Sequence, residues 1–212
     1  MNIFLDAWRY AVDHSAELAG ALADHLWLVT IALSVSVAAC IPLGIWTARS
    51  RVVSAAVLNT VNALRVVPSL AVLFLIIPYL GLSTASAAVA LMVLALPPVL
   101  INTDAAFRGL DPAVLEAARG MGMAPWQSLL RVEFPLALPV ILTGVRTAAV
   151  EVISSATLAA FVGSGGLGIY ITRGFALFDY AILLVGAAPV ALLTLIAETL
   201  LGLLQRALQA PG

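Results

Sequence analysis

Long apolar runs alternate along this chain with short segments that hold nearly all of its charge. A helix rising about 1.5 Å per residue needs about 20 apolar residues to cross a hydrocarbon core of about 30 Å. Residues 26–47 meet that requirement as one crossing. Residues 66–103 carry no charge and as a single helix would extend roughly 57 Å, so the run must reverse. The stretch PYLGLSTAS places Pro78, Gly81 and a Ser/Thr cluster at the reversal. It predicts one helix over 56–77 and another over 85–103. Further helices are predicted over 137–162 and 180–204, giving five crossings. Pro68, followed by Ser69, is expected to kink the second span and free a carbonyl, which is tolerated where protein or cavity water satisfies it.

At 63% hydrophobic and 10% charged, the 212 residues exceed the apolar range of soluble domains, and the expected class is an all-α, polytopic membrane helix bundle. All ten cationic residues are arginine, against eleven acids, and a net charge of -1 leaves no basic surface for nucleic acid. Five crossings put the termini on opposite faces. One set of loops holds Arg49, Arg51, Arg108, Arg119, Arg131 and Arg206, the other Arg9 and Arg173, a bias that places the N-terminus outside and the C-terminus in the cytoplasm. Residues 1–25 lack a basic region ahead of an apolar core, so they are read as an extracytoplasmic or interfacial segment, an amphipathic helix on the membrane rather than a cleaved signal. Cys40 has no partner for a disulfide, and His14 and His25 are read as polar residues ahead of the first span, not as metal ligands.

The segment 105–135 interrupts the apolar pattern with DPAVLEAARGMG. Asp111 suits an N-cap, Pro112 the first helical position and Gly120 a left-handed stop, which predicts a short capped helix over 112–119. Pro125 opens another turn through WQSLLRVEF, and Pro135 is expected to end it before the fourth span. The Ala117–Ala118 pair permits close backbone approach, with Glu116 and Arg119 at its edge. Local physics leaves a docking knob and an ordinary capped connector equally open.

Polar groups inside the spans are the candidates for a pathway. A charge at the bilayer centre costs about 2.5–3.5 kcal/mol on insertion scales, so Glu151 is expected to face protein or water, at a subunit interface or a translocation pathway. Arg65 and Arg146 have three choices: snorkelling, pairing with a carboxylate, or lining the cavity. Ser154, Ser155 and Thr157 follow Glu151 on a small-residue helix and fit helix packing as well as solute contact. Glu198 is expected to reach the interface. Trp27, Trp46 and Trp126 sit where interfacial anchors belong rather than in an aromatic cage. GSGGLG, with Gly163, Gly165, Gly166 and Gly168, matches a dinucleotide fingerprint that has meaning only between a strand and a helix, so it is read as an external turn.

EAARGMGMAPWQSLLRVEFPLALPVIL resembles the EAA loop of ABC-importer permeases, with Glu116, Ala117, Ala118, Gly120, Leu138 and Pro139 in the motif's places. RVVPSLAVLFLIIPYLGL, RTAAVEVISSATLAAFVGSGGLG and GAAPVALL resemble permeases of the osmoprotectant group, which imports glycine betaine, choline, carnitine or proline. The resemblance covers residues 26–208 as a MetI-like permease domain. It implies a bacterial inner-membrane subunit that works by alternating access, with a second permease (identical or a paralogue), a pair of ATPase subunits and an extracytoplasmic binding protein as partners. By that resemblance Asp111, Glu116, Ala117, Ala118, Arg119, Gly120, Met121 and Gly122 contact the ATPase, and Gly163–Gly168 lies where a turn could close the outer mouth. The chain has no phosphate-binding G-x-x-x-x-G-K-[ST] loop and no lysine, so ATP and Mg are expected on the partner ATPase and no cofactor on this chain. The alternatives are a permease for methionine or another amino acid, which shares the EAA loop, and an ATP-independent channel or secondary transporter. Paired carboxylates, metal clusters or nucleophile–base sets at motif spacing are not evident.

Overall fold

The computed structural model describes residues 2–208. Helices α1 (Ile3–Asp13), α2 (Ser15–Ala48), α3 (Arg51–Leu64), α4 (Ser69–Leu80) and α5 (Thr84–Arg108) form the first half. The second half comprises α6 (Pro112–Gly120), α7 (Pro125–Ser128), a π turn (Leu129–Glu133), α8 (Phe134–Ser155), a 3-10 segment (Ala156–Val162), α9 (Gly168–Leu177) and α10 (Tyr180–Leu208). Among the described residues there is no strand.

Helix α5 is the hub, packed against α2 on one side and α8 on the other, with α10 against α8. Close approach is made by small residues. A Cβ on Gly44 would lie 2.6 Å from Thr103 Cβ, and one on Gly144 would lie 2.5 Å from the Pro98 carbonyl oxygen. Such contacts carry association in lipid, where apolar burial between helices gains little. Four helices are long and apolar enough to cross a membrane, and α3 with α4, bent by 96° at a short break, would make a fifth.

That bend corrects one expectation. Residues 56–77 do not form one kinked helix. Pro68 has no N–H to donate and disfavours the helical region for the residue before it, and α3 ends through 3-10-type bonds, Val66 N–H to Ala63 O and Val67 N–H to Leu64 O. Helix α4 then starts afresh from Pro68, whose ψ is 138°.

Pro135 is also not a stop. The chain continues from α7 into α8 through the π turn, where the Phe134 N–H reaches back five residues to Leu129 O. Pro135 thereby falls in the first turn of α8, where a missing donor is harmless.

Near the other end, α2 begins at Ser15 and passes 25/26 unbroken. Helix α1 lies against α10 and α2, with Ala7, Tyr10 and Ala11 on the cluster of Tyr170, Ile182 and Val185, while Phe4 and Trp8 are exposed. His25 is not a polar residue ahead of the span. It is 1% exposed inside α2, and its Nε2 donates to the Ile153 carbonyl of α8 at 3.1 Å.

A buried polar cluster ties α3 to α5. Ser54 Oγ donates to Asp104 Oδ1 at 3.0 Å, and Arg108 Nη1 donates to Ser54 Oγ at 2.7 Å. Asp104 is 1% exposed, so Ser54→Ala would strip a buried carboxylate of its hydroxyl donor. We expect that variant to lose about 1–3 kcal/mol of stability, read as a lower thermal midpoint of the purified protein in detergent.

Candidate functional site

Helix α6 is built as a short capped rod. Asp111 Oδ1 accepts the Ala113 N–H at 2.8 Å, and Pro112 opens the helix. At its end Gly122 N–H bonds Arg119 O and Met123 N–H bonds Ala118 O. This paired closure puts the left-handed residue at Gly122 (φ 74°), so Gly120 is the last helical residue rather than the expected stop. Ala118 is buried where α6 meets α7 and the π turn. Glu116, Ala117, Arg119, Gly120, Met121 and Gly122 are exposed, with Met121 at 74%.

The platform beneath α6 rests on Glu133, a residue that motif reading passed over. It is buried in the π turn, accepting from Ser128 Oγ at 3.0 Å and from Arg49 Nη2 at 3.1 Å. One carboxylate therefore links the segment under α6 to the end of α2. Glu133 is the last residue of the π turn, and no spacing rule in the sequence marks it. Asp104 did leave a signal, an acid at the very end of the uncharged run with Arg108 four residues on.

Of the intramembrane candidates, the structure brings Arg65, Pro68, Ser69, Glu151 and Ser155 to one cleft of about 240 Å³ between the break in the second span, α5 and α8. Arg65 is exposed and Glu151 half-buried, and no ion pair joins them. Ser154 is exposed, and Thr157 spends its hydroxyl on the Ser154 carbonyl at 2.7 Å. Arg146 stands apart, paired with Glu198 of α10, so Glu198 does not simply reach the interface. The pair forms because α8 and α10 pack side by side and their two charges face each other.

Past the 3-10 segment, Gly163, Gly165 and Gly166 all take positive φ (71°, 81° and 81°), and the turn folds onto α2 beside Asp24 and His25. Gly168 sits against the Thr157 carbonyl, where a Cβ would overlap the oxygen. The turn joins a 3-10 segment to α9, not a strand to a helix.

The family described as binding-protein-dependent transport system inner membrane component matches residues 40–210, a range that holds the bent span, α6 and the cleft. The chain belongs to this family. The carnitine transport permease protein OpuCB of Listeria monocytogenes is 44% identical over 182 residues, covering 86% of this permease and 84% of that protein. The osmoprotectant import permease protein OsmW of Salmonella typhimurium is 36% identical over 213 residues, covering 98% and 99%. A solved inward-facing MetNI methionine ABC transporter superposes with a TM-score of 0.80 at 21% identity, covering 93% of this permease and 98% of that chain, which establishes a shared fold.

Proposed function

We propose that this permease is the membrane-spanning subunit of an ATP-driven importer of osmoprotectants such as glycine betaine, choline, carnitine or proline. The reading is carried by α6, a capped helix exposed on all but its Ala118 face and standing at the arginine-rich end of the bundle. The 44% identity to a carnitine permease supports the solute class. In this reading ATPase subunits, which hold ATP and Mg, grip α6 through Glu116, Ala117, Arg119 and Met121. Their closure tilts α6, the π turn passes the motion to α8, and the Glu133–Arg49 link passes it to α2. A second permease completes the pathway, and an extracytoplasmic binding protein delivers solute at the end bearing Gly163–Gly168.

The test is uptake of labelled glycine betaine, choline and methionine by the reconstituted complex, with and without its binding protein. Binding-protein-dependent import of betaine or choline supports the reading. Import of methionine alone replaces it with an amino-acid permease, and flux without ATP replaces it with a channel.

Orientation follows from the same reading, with α6 cytoplasmic and the N-terminus outside. A Cys40→Ser, Met121→Cys protein in intact cells is expected to resist a membrane-impermeant maleimide and to react once the membrane is inverted. Labelling in intact cells reverses the topology.

A further inference from the structure

The cleft at the broken span holds two opposite charges that do not meet. Arg65, just past the end of α3, stands on one wall and Glu151 of α8 on another, within about 240 Å³ of space, and among the described residues no ion pair of 4 Å or less joins them or ties either to another side chain. Pro97 of α5, near the middle of that 25-residue span, lines the same cleft, so both charges stand at mid-span depth, Glu151 half-buried and Arg65 exposed to the cleft side. Charges at that depth face a water-filled route or a counter-charge rather than lipid.

The backbone around each charge repeats its sign. Ser69, beside Arg65 in the cleft, opens the 12-residue α4; the Ala71 and Val72 amides bond the Pro68 carbonyl, while those of Ser69 and Leu70 precede the helix's own acceptors and carry the positive end of its dipole. Across the cleft, Pro97 and Pro98 lack N–H groups, so the carbonyls of Val93 and Leu94, four residues earlier, lose their helical donors. Both of those residues line the cleft together with Glu151. A broken helix thus contributes a positive pole and a proline-interrupted helix a negative one.

We propose that this cleft is a two-point site for a zwitterionic solute, with Arg65 and the start of α4 taking the carboxylate and Glu151 with the freed carbonyls taking the ammonium end. The assignment rests on the importer reading above and adds to it a site of selection within the permease. A solute carrying both charges neutralises both walls at once. A cation without a carboxylate satisfies only Glu151.

Glycine betaine and choline share the trimethylammonium group and differ in the carboxylate, so they separate the two poles. In the reconstituted complex with saturating binding protein, Arg65→Gln is expected to raise the ratio of choline to betaine uptake about tenfold or more, because one charged contact is lost by betaine alone. Glu151→Gln is expected to lower uptake of both by about tenfold or more. Equal losses of the two solutes in Arg65→Gln, or no loss in Glu151→Gln, overturn the assignment. If Arg65→Gln fails to assemble, Arg65→Lys keeps the charge but not the planar fork that suits a carboxylate, and a smaller shift of the ratio in the same direction is expected. An unchanged ratio there overturns it too. A wild-type complex that imports neither solute, with ATP turnover indifferent to the binding protein, counts against the importer reading instead and leaves this site without its solute.

Discussion

A complex carrying Glu116→Lys is expected to lose energised import almost completely. Glu116 is exposed on α6, one turn from Arg119, on a helix whose only buried residue is Ala118. If, as proposed, the ATPase grips α6 through Glu116, losing one partner of that interfacial charge pair costs about 2–5 kcal/mol, and reversal adds repulsion, so uptake should fall roughly thirtyfold or more. The fold has no stake in this position, because α6 is capped by Asp111 and closed at Gly122 independently of Glu116. The variant should therefore purify with an unchanged thermal midpoint while the ATPase subunits fail to co-purify. Retained ATPase with normal uptake would remove α6 from the coupling path. Asp111→Ala probes the same rod through its cap and should cost about 1 kcal/mol of local helix stability, a milder loss of uptake that grows with temperature.

Gly144→Ala is expected to give the largest loss of stability from a single added carbon. The new Cβ would stand 2.5 Å from the Pro98 carbonyl oxygen and 2.7 Å from Asn102 Cβ, closer than real contacts permit, and the obstacle is backbone rather than a side chain that can swing away. Helices α5 and α8 must move apart, at a cost of roughly 3 kcal/mol, the upper end of overpacking penalties. The same two helices line the Arg65–Glu151 cleft together with the break in the second span, so uptake should fall together with the thermal midpoint. Gly20→Ala is the matched control. Nothing lies within 4 Å of its added Cβ in the interior of α2, and replacing glycine there should be neutral or stabilising by up to about 1 kcal/mol. A Gly144→Ala protein as stable as Gly20→Ala would mean that the α5–α8 contact is looser than described.

Spans were legible because hydropathy and length decide them together. The uncharged run 66–103 had to reverse at Pro78–Gly81, and α4 and α5 meet there. The cap at Asp111 was legible because an Asx side chain followed by proline specifies a helix start within two residues. The stop was placed two residues early, since the closing bonds from Gly122 and Met123 depend on how α6 leaves for α7. The two prolines misled in opposite directions. Pro68 was expected to bend a helix and instead broke it, while Pro135 was expected to break one and was absorbed by a π turn. A proline's missing N–H is fixed by sequence, but whether a neighbouring turn can absorb it is settled by what packs around that turn.

What the sequence determined by itself is therefore everything governed by distances of a few residues: an all-helical membrane bundle, the order of its spans, the capped α6 rod and the family motif on it. Tertiary structure alone decided which charges are spent and which remain free. Asp104, Glu133, Arg146 and Glu198 are committed to partners, those of Glu133, Arg146 and Glu198 on other helices and those of Asp104 on both its own helix and α3. Arg65 and Glu151 are left facing one cleft without an ion pair among the described residues. Charge can be read from a chain letter by letter, but pairing is a matter of ångströms between segments tens of residues apart, and those separations exist only once the helices have packed.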